Sequence, residues 1–216
     1  MTRIYRYGLM SDTGWAPCID DGWISLATCK PSIRASAQPG DWVLGFVPGR
    51  LHRGAVIWAG RVSAVVPIGD YEVRHQGRRD AIYRANLDGT FQRLRPDYHP
   101  GRDELRKDLS APVLKFESTA SWYFGKSPRQ LPDWLMHLAA GGRGHRVNGT
   151  LAEDVVGLEA WLDQFPGISN DGPFATSEID ANGCSSCVPD NSLKRQTSRR
   201  SAMKSPAESL VESRRT

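Results

Sequence analysis

The run Ala27-Thr-Cys-Lys-Pro-Ser-Ile-Arg34 brings a hydroxyl, a thiol, an ammonium and a guanidinium close together along the chain. It leaves an expected strand and enters a tight turn or helix start, where backbone N–H groups attract anions. Thr28, Lys30 and Arg34 are thus candidate ligands for a phosphate or carboxylate, and Cys29 is a candidate nucleophile. The other reading makes Cys29 a small core residue with both cations facing water. A second block, Ser121-Trp-Tyr-Phe-Gly-Lys126, sets three aromatic rings in succession on an expected strand. Unless both faces are covered, Trp122 or Tyr123 must project, and a projecting ring can stack on a base for about 1–3 kcal/mol. Gly125 completes this block of candidate base-binding residues. The third block, Gly141-Gly-Arg-Gly-His-Arg146, is a glycine-rich basic loop. His145 can exchange a proton near neutral pH and Arg146 adds charge, so His145 is the second catalytic candidate and a conceivable partner for Cys29. The loop lacks Walker spacing, and glycines that follow a helix also serve as its C-cap.

These blocks need elements to hold them. Ile4–Gly8 and Trp23–Thr28 alternate apolar and polar residues as half-buried strands do, with a turn-rich, aromatic loop between them. Pro31–Ala37 fits one short helical turn. Asp41–Val47 and Ala55–Val66, rich in β-branched and aromatic residues, read as a central hairpin. Residues 70–76 suit a short helix. Residues 86–110 have no clear period and contain Pro96, Pro100 and Gly101, so they read as a long functional or mobile loop. Pro112–Phe116 and Ser121–Gly125 read as two further strands, and Pro132–Ala140 as a helix. A last helix starts at Thr150, where Thr150 and Glu153 have capping-box spacing, and Leu151, Val155, Leu158 and Leu162 form its apolar stripe.

The whole is an expected α+β domain, a small mixed or antiparallel sheet with peripheral helices, over residues 1–168. Residues 169–216 are polar and basic and read as a disordered tail. With 216 residues and 39% hydrophobic content the chain can bury one good core. No run of apolar residues is long enough to span a bilayer, and the N-terminus lacks a signal-peptide core, which points to a cytoplasmic protein without a membrane partner. The four cysteines form no disulfide framework. Cys184-Ser-Ser-Cys187 is half of a zinc site by spacing with no second pair, so neither a metal nor another cofactor is expected. The net charge of +4 is carried mostly by arginine, including Arg74, Arg78, Arg79, Arg84, Arg93 and Arg95, interleaved with carboxylates. That pattern suits either a nucleic-acid surface or an ordinary solvated one.

Leu26-Ala-Thr-Cys-Lys-Pro-Ser-Ile-Arg34, Gly40-Asp-Trp-Val-Leu-Gly45, Trp122-Tyr-Phe-Gly125 and Gly142-Arg-Gly-His-Arg146 together resemble the second nucleotide modification associated domain family. The resemblance covers about residues 3–150. It implies an association with bacterial and phage DNA-modification systems and no single reaction. A looser similarity, the basic turn followed by Gly-Asp-aromatic-Val, is to PUA-like domains of the EVE and ASCH groups, which implies a β-barrel-like sheet holding RNA or modified bases. The expected function is a module that binds or processes nucleic-acid or nucleotide bases, with Lys30 and Arg34 on phosphate, Trp122 or Tyr123 stacking, and His145 with Arg146 closing the site. The alternative is an enzyme that modifies a nucleobase or nucleotide through Cys29 or His145. A protein-interaction domain presenting Trp15, Trp23 and Trp42 is a third possibility.

Overall fold

The structure, a computed structural model, describes residues 2–49, 52–140, 144–169 and 172–174. Its centre is a mixed sheet of β1 (Ile4–Gly8), β2 (Cys18–Asp20), β3 (Trp23–Leu26), β4 (Trp42–Phe46), β5 (Ala55–Val66), β8 (Val113–Tyr123), β9 (Arg129–Gln130) and β10 (His145–Arg146). The order is β10-β1-β4-β5-β8-β3-β2, with β9 also pairing with β5. Only β1 and β4 run parallel; the other pairs are antiparallel. The expected hairpin of β4 and β5 is present, with Trp42 opposite Arg61 and Leu44 opposite Ala59. Gly45 is required in β4 because the Trp58 indole crosses its backbone, and any Cβ there would collide with the ring.

The fold is α+β as expected, but the sheet does not close into a barrel. Its path runs from the two-residue β10 to the three-residue β2, and these ends do not pair with each other among the described residues. Two strands expected in the 112–125 region are one. β8 runs through Glu117-Ser-Thr119, a polar interruption that reads as a turn but is taken up by a register shift opposite Gly60–Val62. Glu117 is held there by a bidentate bond from Arg61, at 3.0 and 2.7 Å.

The alternation of β1, β4, β5 and β8 sends apolar side chains to both faces, and both are covered. On one face Ile4, Trp42, Leu44, Trp122 and Phe124 pack against the 3-10 helix Asp133–Leu138 and α4 (Ala152–Leu162). On the other, Tyr5, Tyr7, Val43, Ile57, Trp58 and Tyr123 pack against α1 (Pro31–Ser36) through Ile33. The 3-10 helix stands where a longer α-helix is predicted. The start of α4 also differs, since Leu151 occupies the cap and its N–H donates to Asp154 at 2.7 Å, while Thr150 donates to the Val147 carbonyl. The carboxylate three residues after the cap does the capping, so Asp154 takes the role expected of Glu153.

Residues 86–110 are not a structureless loop. β6 (Tyr83–Ala85) and β7 (Phe91–Arg93) form a hairpin turned by Asn86–Gly89, and α3 (Arg102–Leu109) follows. With α2 (Ile68–Arg74) these elements make a small lobe around Tyr71, Ala81, Ile82, Tyr83 and Tyr98, seated beyond the β3 end of the sheet. The chain past β8 returns to the sheet at residues 172–174, where the Phe174 N–H donates to Asp12 at 2.9 Å. The basic tail residues and the Cys184/Cys187 pair lie outside the described residues, as do Gly141, Gly142 and Arg143.

Candidate active site

β3 ends at Leu26, and the chain turns sharply before α1. Cys29 (φ 55°) and Lys30 (φ 40°) both occupy the left-handed region, which costs a non-glycine residue of order 1–3 kcal/mol and persists only where surroundings enforce it. The enforcement is visible. The Cys29 N–H donates to Asp108 Oδ1 at 2.9 Å. Arg34, one turn into α1 and fully buried, donates to the carbonyls of Cys29 (3.2 Å), Asp108 (2.8 Å), Ala111 (2.5 Å) and Pro112 (2.8 Å). Burial pulls its guanidinium down to about 10, against the pull of Asp108, so it stays charged at neutral pH. Arg34 therefore fastens the β3–α1 turn to the α3–β8 turn, with four of its five donors on carbonyls.

The same turn aims the thiol. Cys29 Sγ lies 3.6 Å from His99 Nε2, and His99 Nδ1 lies 2.7 Å from Asp108 Oδ2. Tyr83 donates its hydroxyl to that same Oδ2 at 2.9 Å. A carboxylate only accepts, so Nδ1–H is the donor to Asp108 and Nε2 is the ring nitrogen that faces the thiol. Thiol, imidazole and carboxylate stand in series, the order that lets a base take a proton from a nucleophile while a third group holds the base. His99 too has a positive φ, of 51°. Cys29, His99 and Asp108 are all buried. Above His99 the rings of Tyr98 and Trp15 continue a stack, with centroids 4.1 and 4.2 Å apart and planes within 16°. Thr28 steadies this column, with its hydroxyl 3.2 Å from that of Tyr98. The Arg79 and Arg95 guanidiniums flank Trp15, at 5.7 and 5.9 Å from its ring centroid.

Of the residues singled out from sequence, Thr28, Cys29 and Arg34 meet here. Lys30 begins α1 and rests its ammonium 4.7 Å from the Tyr7 ring centroid. Trp122 and Tyr123 do not project. Trp122 stacks on Trp42 and donates to the Phe165 carbonyl, and Tyr123 donates to Asp12 at 2.6 Å, because β8 is covered on both faces. Gly125, at φ 50°, lies against the Gly172 carbonyl, where a Cβ would collide. His145 and Arg146 sit on β10, at the opposite end of the strand order from β2 and β3. The imidazole that meets Cys29 is His99. Reasoning from sequence missed Tyr83 and, in the segment read as a loop, Tyr98, His99 and Asp108. A His-Pro step and an acid closing a short helix were their only local signals.

Among the described residues no group of His, Cys, Asp and Glu converges to hold a metal ion, and no helix is long and apolar enough to cross a membrane. The other buried thiol, Cys18, is pushed up to about 12 by burial, then by Asp80.

The family model for nucleotide modification associated domain 2 matches residues 1–179, the span that carries the sheet, the lobe and the Cys29 turn. The chain belongs to that family. Comparison with curated proteins and with solved structures finds no match. The name of nucleotide modification associated domain 2 points to involvement in nucleotide or DNA modification, and the Cys29–His99–Asp108 series lies within the matched span.

Proposed function

We propose that this protein is an enzyme of nucleotide or DNA modification in which Cys29 is the nucleophile, His99 its general base and Asp108 the residue that orients His99. The observation that carries the reading is the series itself: thiol to imidazole at 3.6 Å and imidazole to carboxylate at 2.7 Å, with nucleophile and base both held at positive φ. The family's association with nucleotide modification favours a nucleobase as the substrate, either free in a nucleotide or within a nucleic acid. In the step this geometry supports, His99 Nε2 takes the thiol proton and the sulfur adds to an electrophilic ring or acyl carbon. The new S–C bond displaces the π electron pair onto the neighbouring atom, and His99 returns its proton there. Asp108 stabilises the imidazolium meanwhile. The Trp15–Tyr98–His99 column supports a planar substrate, because a base admitted against it gains stacking area on rings that already lie parallel.

Two readouts test the proposal. The protein is incubated with oligonucleotides containing 5-fluorocytosine or 5-fluorouracil and with nucleoside monophosphates, and adducts are mapped by peptide mass spectrometry. In parallel, alkylation of Cys29 by iodoacetamide is timed in wild type and His99→Gln. The expected result is an adduct at Cys29 that is absent in Cys29→Ala, with alkylation about tenfold slower without His99. A Cys29 that forms no adduct and alkylates at the same rate with or without His99 would mean that the series only staples α3 to the β3–α1 turn.

A further inference from the structure

A second feature lies on the outer side of the lobe, where β3, β5 and β8 meet the end of α2. An open cleft of about 470 Å³, within the size range of ligand sites, has Trp23, His75, Lys115, Glu117, Ser118 and Thr119 among its lining residues. Two cations and an imidazole gather on the Trp23 indole. The Arg78 guanidinium is 3.4 Å and the Lys115 ammonium 4.8 Å from the Trp23 ring centroid, and the His75 ring is 5.2 Å from it. The Glu117 carboxylate in the lining and the Asp80 carboxylate behind it are both already paired. Glu117 is held bidentate by Arg61, and Asp80 is buried, accepting from Ser25, Tyr71 and Arg78. Among the described residues neither Lys115 nor His75 has a carboxylate within salt-bridge distance. Both are held below their ordinary values, first by burial and then by neighbouring cations: Lys115 and Arg78 for His75, Arg78 and Arg74 for Lys115. An anion in the cleft would relieve that crowding, and the Ser118 and Thr119 hydroxyls in the lining add neutral donors.

We infer that this cleft binds backbone phosphates of a single-stranded nucleic acid, through Lys115 and His75, as an anchoring site distinct from Cys29. Trp23 opens β3 and Cys29 follows its end, so the two are joined by six steps of largely extended chain, at most about 20 Å. A strand anchored at the cleft would present a nearby base to the Cys29 turn. The inference rests on the nucleic-acid part of the function proposed above, and not on the reactivity of Cys29.

The test is fluorescence anisotropy of the full chain with a labelled single-stranded DNA 12-mer across a series of salt concentrations. Wild type is compared with Lys115→Gln, His75→Gln and the charge-retaining Lys115→Arg. The expected result is a Kd raised about three- to tenfold by each neutral variant, recovery in Lys115→Arg, and a salt slope reduced by about 0.7 in Lys115→Gln. Wild-type affinity and slope in both neutral variants would overturn the site, and so would a wild type that does not bind the strand. Competition by thymidine monophosphate as effective as that by the unlabelled 12-mer would also overturn it in favour of a single-phosphate ligand. The two proposals fail separately. Variants that bind like wild type while Cys29 still forms its adduct remove only the anchor; salt-sensitive binding lost in Lys115→Gln, with Cys29 inert, leaves the anchor and removes the nucleophile.

Discussion

At the scale of single residues, the Cys29 turn contains two effects that substitutions can separate. One is backbone strain: at φ 55° a Cβ is a liability that glycine lacks. Cys29→Gly is therefore expected to be more stable than Cys29→Ala by about 1 kcal/mol in urea unfolding, although both lose the thiol. Equal stability would mean that the surroundings, and not the backbone, set the conformation. The other is the loading of Asp108, whose two oxygens receive the Cys29 N–H, His99 and the Tyr83 hydroxyl. Tyr83→Phe removes one neutral donor and should cost about 1 kcal/mol while leaving Cys29 chemistry in place. Asp108→Asn puts an amide where only acceptors fit, so it should cost about 2 kcal/mol and abolish the Cys29 adduct as well. If the two variants have the same effect on adduct formation, Asp108 does not orient His99.

At the scale of elements, Arg34 is the fastening between α1 and the α3–β8 turn. Lysine there keeps the charge but cannot reach carbonyls in several directions. Arg34→Lys is expected to lose about 2–4 kcal/mol of stability and to speed hydrogen exchange at residues 27–30 and 108–112, with β4 and β5 unchanged. The elements also mark where sequence was sufficient. β1 and β3 were legible from their period-2 alternation, and β4 and β5 from their density of β-branched and aromatic residues. α3 was not, because Arg102-Asp-Glu-Leu-Arg-Lys-Asp-Leu109 has only Leu105 and Leu109 on its apolar side and hides them among charges. β8 was split by Glu117-Ser-Thr119, whose polarity imitates a turn. The site was half legible for the same reason. Cys29 and Arg34 lie in one run, but His99 and Asp108 are separated from Cys29 by 70 and 79 positions. Local pattern carries no information on which distant turn a thiol will face.

At the scale of the molecule, Asp12 joins three distant parts of the chain. It lies in the segment that carries Trp15, accepts from Tyr123 on β8 at 2.6 Å, and accepts from the Phe174 N–H at 2.9 Å. Loosening Asp12 should therefore loosen the cover over His99 together with the returning segment at residues 172–174. Burial raises the Asp12 carboxyl above its ordinary value, and the bonds from Tyr123, Phe174 and Gly14 only partly offset it. The folded protein thus holds a proton on Asp12 at pH values where the unfolded chain has released it. A group raised in this way lends stability at low pH and loses it as pH rises through the folded value, so its cost is largest at neutral pH. Asp12→Asn is free of that dependence. Urea unfolding at a series of pH values from 7 down to 4 should show wild type gaining stability relative to Asp12→Asn as the solution is acidified. Over the same series, iodoacetamide should reach Cys29 faster in Asp12→Ala than in wild type, because the alanine keeps neither bond to the cover's neighbours. A flat stability difference across that range would mean that Asp12 titrates alike in the folded and unfolded chain. An unchanged alkylation rate would mean that the Trp15 segment is held over His99 by its ring stack alone.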